Sequence, residues 1–116
     1  MISPVAIVLA LQFLAPYTPD HRPPCQGALD LQVYAAATRP GVDGWAYMGG
    51  GCQIHISDEA EDYPPQVQCA LIAHELGHSV FSLGHQAGTI MDPSTDTRPI
   101  PGGCYPPRHT HRRSHR

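Results

Sequence analysis

Five consecutive residues, His74-Glu75-Leu76-Gly77-His78, carry the clearest chemistry in this sequence. Residues four apart share one face of a helix, with Cβ atoms about 5–6 Å apart. Two imidazoles so placed can converge on one metal ion, at zinc–nitrogen distances of about 2.0–2.1 Å. Glu75 projects from the neighbouring face, where it can reach a water on the metal without ligating the metal itself. That is the position a general base requires. Catalytic zinc usually has three protein ligands and a water, so a third ligand is needed. His85, after Gly84, is the next candidate, and Asp92 and Asp96 are the fallbacks. No Glu follows Glu75, so a site with a downstream Glu ligand cannot be built. Gly77 costs a helix about 1 kcal/mol relative to Ala, a cost that fits a close approach by another segment.

These residues need a helix under them. From Gln66 to about Phe81 the apolar positions Val67, Ala70, Leu71, Ala73 and Leu76 follow a helical period, and Pro65 suits a first helical turn. Upstream, Leu29–Ala37 alternates Leu29, Leu31, Val33 and Ala35 against polar or small neighbours, the pattern of a half-buried strand. Gly44–Met48 and Cys52–Ser57 bracket Gly49-Gly50-Gly51 and predict a hairpin. On its second strand, Ile54 and Ile56 share one face; His55 lies on the other and is read as exposed rather than ligating. Beyond the helix, Gly and Pro recur, and Gly88–Pro93 forms a turn with Met91 near its centre.

At 116 residues the chain has room for one small domain. Gly and Pro number 24, which rules out a coiled coil or helical bundle. Residues 1–107 hold ten acidic residues against three basic ones; Arg108, Arg112, Arg113 and Arg116 lie in the last nine positions. An acidic body argues against nucleic acid as a partner, since phosphate binding needs clustered positive charge. The run Val5–Ala15 is too short to span a bilayer. Two readings of it stand open: the apolar part of a signal peptide, or a buried strand or short helix of the fold. The four cysteines lack a C-x-x-C pair and read as disulfides of an oxidising compartment. Of three pairings, Cys52–Cys69 and Cys25–Cys104 are expected, tying the central strand to the helix start and the C-terminal segment to the N-terminal connection. The organisation expected is residues 1–28 as apolar segment and Pro-rich connection, 29–104 as the metal-binding domain, and 105–116 as a disordered basic tail.

His74, Glu75, His78 and His85, followed by Met91, resemble the metzincin metallopeptidases of the matrixin and astacin type, whose pattern is H-E-x-x-H-x-x-G-x-x-H and then a Met-turn. Their upstream G-x-A-Y-x-G-G and I-x-I strands look like GWAYMGG and CQIHIS here, so the likeness covers about residues 29–93. One departure is plain: His78 and His85 are seven residues apart where the family has six, and Phe81 stands in place of the family glycine. The expectation is that the helix runs one residue further and turns at Gly84.

The resemblance implies an α+β fold with a short twisted mixed sheet packed on a single active-site helix. It further implies Zn2+ held by His74, His78 and His85, with Met91 as a hydrophobic base under the metal. The function it implies is a secreted or extracellular zinc endopeptidase that hydrolyses peptide bonds by a zinc-activated water with Glu75 as general base. An extended peptide or protein substrate would lie along Gly44–Met48. The alternatives are a non-catalytic zinc-binding module and an adaptor docking on acidic polymers through Arg108–Arg116. Oligomeric state is left open.

Overall fold

A helix with a polar cleft on one side and a second helix on the other organises the chain. The computed structural model describes residues 1–86, 89–91 and 104. In chain order the elements are α1 (Pro4–Leu14), β1 (Asp30–Tyr34), β2 (Gly44–Trp45), β3 (Gln53–Ser57) and α2 (Pro65–Ser79), with short 3-10 turns at Ala15–Tyr17, Ala36–Thr38 and Asp58–Asp62. The fold is α+β, with a three-stranded mixed sheet in the order β1-β3-β2.

The sheet is built around β3, whose Ile54 and Ile56 are fully buried toward α2. β1 runs parallel to it, from Asp30 opposite Gln53 to Tyr34 opposite Ser57. β2 is antiparallel, Gly44 opposite Ile56 and Trp45 opposite His55. This pairing is shorter than the hairpin expected over Gly44–Met48. Residues 46–51 instead serve the end of α2: Gly49 N–H donates to His78 O (3.0 Å) and Gly51 N–H to Ser79 O (2.9 Å). Both glycines have positive φ, 67° and 81°, which lets the loop turn its amides onto carbonyls that a helix end leaves unpaired.

The expectation of a single helix is corrected. Val5–Ala15 has no periodicity that separates strand from helix, since it is apolar on every side. Ser3 and Pro4 decide it locally: the Ser3 hydroxyl accepts from Ala6 N–H (3.4 Å), and Pro4 occupies the first helical position. Ala6, Ala10 and Leu14, four residues apart, form a buried stripe of mostly small side chains that lets α1 pack closely on α2. Gln68 completes the joint. It accepts from Ser3 N–H (3.0 Å) and donates to Ala60 O (2.9 Å), so a buried amide on α2 is satisfied by the two segments it joins. Among the described residues, no helix is long and apolar enough to cross a membrane.

The disulfide pairing is corrected too: the bonds are Cys25–Cys52 and Cys69–Cys104. The parallel direction of β1 is the reason. It brings the starts of β1 and β3 to the same end of the sheet, where Asp30 N–H donates to Cys52 O (2.8 Å), so Cys25 meets Cys52. Cys69, fully buried on α2, is then left to Cys104. All four cysteines are bonded, which is compatible with an extracellular protein.

Candidate metal centre

α2 begins with Pro65 at its first turn, one residue before the start expected, and ends at Ser79. From there the chain reaches His85 by a route different from the one expected. Ser82, not Gly84, takes the left-handed conformation (φ 55°), and Leu83 N–H donates to Gly77 O (2.9 Å). An ordinary Schellman end closes this bond across five residues. Here it closes across six, so the turn holds one residue more than that motif. Gly84 has open space around its Cα and no positive φ.

The turn brings His85 back over the helix. The ligand atoms of His74, His78 and His85 all lie within 4.8 Å of one another, and the three could hold a metal ion. Their ring centroids are 4.8 Å (His74 and His78), 5.2 Å (His74 and His85) and 5.0 Å (His78 and His85) apart. His74 is buried and His85 is exposed, so the triad opens toward solvent on the His85 side.

Two rings are aimed by backbone carbonyls. His74 Nδ1 lies 2.9 Å from Ile90 O, and His78 Nδ1 lies 2.6 Å from Leu83 O. A carbonyl only accepts, so both Nδ1 atoms carry a proton, and in the neutral rings the Nε2 atoms present lone pairs. Those two Nε2 atoms face each other at 3.2 Å. Two lone pairs at that distance repel unless a cation lies between them, and two nitrogens on one tetrahedral zinc are about 3.3 Å apart. The donor set therefore fits a divalent metal, with the second ring nitrogens oriented as in known metal sites.

Met91 packs beneath α2. It is 2 % exposed, and a Cβ built on Gly77 would overlap its Sδ, so Met91 is the close neighbour that the helical glycine implied. Gln86 N–H donates to Met91 O (2.9 Å) and Met91 N–H to Thr89 Oγ1 (3.0 Å), which fixes the turn that presents Ile90 O to His74. Gly77→Val is therefore expected to cost about 2 kcal/mol through overpacking and, by shifting Ile90 O, to weaken metal binding about tenfold. Urea unfolding and a chelator competition would measure the two effects.

A cleft of about 350 Å³ opens beside the triad, walled by Gly41–Ala46 on one side and by Leu71, His74, Glu75, His78 and His85 on the other. Glu75 is 4 % exposed, and among the described residues no group hydrogen-bonds its carboxylate. Burial pushes its carboxyl up to about 8 in the metal-free protein, because desolvation disfavours the charged form. A Cβ on Gly44 would lie 3.0 Å from Glu75 Oε2, so only glycine lets β2 come this close to the carboxylate.

Two tyrosines brace that wall. Tyr34 O–H donates to Val42 O, and Tyr63 O–H donates to Asp43 Oδ1 at 2.9 Å. Burial, then the nearby Asp43 and Glu75 carboxylates, push the Tyr34 hydroxyl up, which keeps it protonated as a donor. Neither tyrosine, nor Asp43, nor the carbonyls of Leu83 and Ile90 carried a signal in the sequence. Backbone acceptors have no residue type to read, and isolated tyrosines have no spacing.

His55 is half-buried rather than exposed. It stacks on Trp45 at 3.8 Å, with Arg39 4.2 Å from the same indole, on the sheet face opposite Ile54 and Ile56. Asp92, Asp96 and residues 105–116 lie outside the described residues. No family model matches the chain, and no curated protein and no solved structure matches it.

Proposed function

We propose that the chain is a small zinc-dependent peptidase. The observation that carries this reading is the conjunction, in one cleft, of three convergent imidazoles and a buried carboxylate that has no hydrogen-bond partner among the described residues. Three neutral imidazoles with an open side suit catalytic zinc, whereas structural zinc sites are closed by four protein ligands. A structural site also has no use for an unpaired carboxylate, whose burial costs stability unless it serves chemistry.

His74, His78 and His85 would hold the ion, which supplies Lewis-acid polarisation of the scissile carbonyl when bound. Glu75 takes a proton from the attacking water and delivers it to the leaving amine as the C–N bond breaks. Among the described residues β2 is an edge strand, paired on one side with β3, and its residues form the cleft wall. An extended peptide laid beside it would gain main-chain hydrogen bonds as an added strand. The wall available for this is the segment 41–46, nearer the N-terminus than the Gly44–Met48 path. An oxidising, extracellular setting accords with the two disulfides.

The test is incubation of the zinc-loaded, disulfide-bonded protein with a mixed peptide library, read by mass spectrometry. Cleavage that a chelator abolishes and zinc restores is the expected result. Bound zinc without cleavage of any peptide would leave the non-catalytic metal-binding module as the better reading.

A further inference from the structure

In an antiparallel pair, successive residues turn their N–H and C=O alternately toward the partner strand and away from it. Ser57 N–H donates to Asp43 O (2.9 Å), and Trp45 stands opposite His55, so Asp43 and Trp45 face β3. Gly44, between them, turns its N–H and C=O to the edge of the sheet that is open among the described residues. It is also the residue whose missing side chain lets β2 approach Glu75, so a peptide bonded to Gly44 lies beside that carboxylate. The same alternation would offer Val42 to the edge, but both of its main-chain groups are engaged elsewhere. Val42 N–H closes a turn on Arg39 O (3.1 Å), and Val42 O accepts from the Tyr34 hydroxyl. Tyr34 belongs to β1, which lies beyond β3 as seen from β2. Its phenol therefore reaches across the sheet and holds the Val42 carbonyl inward, away from the open edge.

We propose that Tyr34 ends the peptide-binding edge at Gly44 and so limits the main-chain recognition of a substrate on the Val42 side of the cleft. The inference rests on the peptidase reading and names the residue that sets how far along the wall a peptide is held. An added strand bonds to alternate residues of its host, so each further outward-facing residue would accept one more substrate N–H. With Val42 withdrawn, the part of a substrate that passes Gly44 on this side gains no further main-chain bond. Tyr34 touches neither the substrate nor the metal ligands; it determines specificity through the Val42 carbonyl.

The probe is the tightest-binding peptide of a mixed library, rebuilt as a series in which each amide N–H in turn is replaced by an ester oxygen. Binding is measured by fluorescence anisotropy on the zinc-loaded Glu75→Gln protein, with and without Tyr34→Phe, and cleavage is measured on the wild type. Phe keeps the ring and removes only the donor; bound zinc in the double variant verifies its fold. The expected result is one additional ester-sensitive position in the Tyr34→Phe protein, two residues beyond the last sensitive one, with a loss of about fivefold in Kd. A second measurement needs no Tyr34 variant: on peptide binding, the carbonyl 13C resonance of Gly44 moves and that of Val42 stays. The same sensitive positions with and without the Tyr34 hydroxyl, or a Val42 resonance that moves as far as that of Gly44, overturns the proposal. Cleavage by the wild type with no ester-sensitive position in either protein overturns it alone. The expected ester pattern without cleavage by the wild type would support it and overturn the peptidase reading alone.

Discussion

Glu75→Gln is expected to reduce peptide hydrolysis at least about 100-fold while one zinc per chain stays bound. Glutamine preserves the shape and burial of the side chain and removes its capacity to take a proton. The carboxylate follows His74 directly on α2 and faces the cleft formed with β2, with Gly44 leaving it room. It is not among the three convergent ligands, so its loss leaves the donor set intact. Initial rates on a cleaved peptide, with metal content measured on the same sample, separate the two functions. A variant as active as the wild type would remove Glu75 from the chemistry, and a variant without zinc would make it a ligand or a structural support.

His85→Ala is expected to weaken zinc binding about 100-fold or more, because it leaves two ligands where a catalytic site uses three. His74 and His78 are held by a continuous helix and by Ile90 O and Leu83 O, so they survive the change as a two-ligand site. His85 depends on the turn through Ser82 for its place. Asp92→Asn, by contrast, is expected to bind zinc as the wild type does. Competition against a chromophoric chelator measures both variants. If Asp92→Asn lost zinc and His85→Ala kept it, the third ligand would be the aspartate.

The motif itself was legible because a helix converts the four-residue spacing of His74 and His78 into proximity, whatever the rest of the fold does. Gly77 was legible for a similar reason: a glycine inside a helix needs an external cause, and Met91 is that cause. The alternation around Leu31 and around Ile54 and Ile56 marked two strands, but alternation carries no direction. Without the parallel sense of β1, the cysteine pairing could not be derived. The apolar segment of α1 is ambiguous in the sequence because it is apolar all round; the Ser3-Pro4 start makes it a helix, and its contact with α2 gives it a place.

The sequence points to Gly84 for the turn after α2 on conformational freedom alone. The structure puts the strain on Ser82, since Leu83 must turn back to Gly77 O while its own carbonyl meets His78. Gly84→Val is accordingly expected to be tolerated. The Gly49–Gly51 loop has the sequence of a hairpin tip; its larger task is to cap the helix that carries the histidines.

The most direct test of the metal centre is a crystal structure of the zinc-loaded, disulfide-bonded protein with anomalous data at the zinc edge. One strong peak is expected within about 2.0–2.1 Å of a ring nitrogen of each of His74, His78 and His85, with solvent in the fourth position beside Glu75. A zinc held instead by His109, His111 or His115 of the tail, or a fourth position filled by a protein side chain, would contradict it.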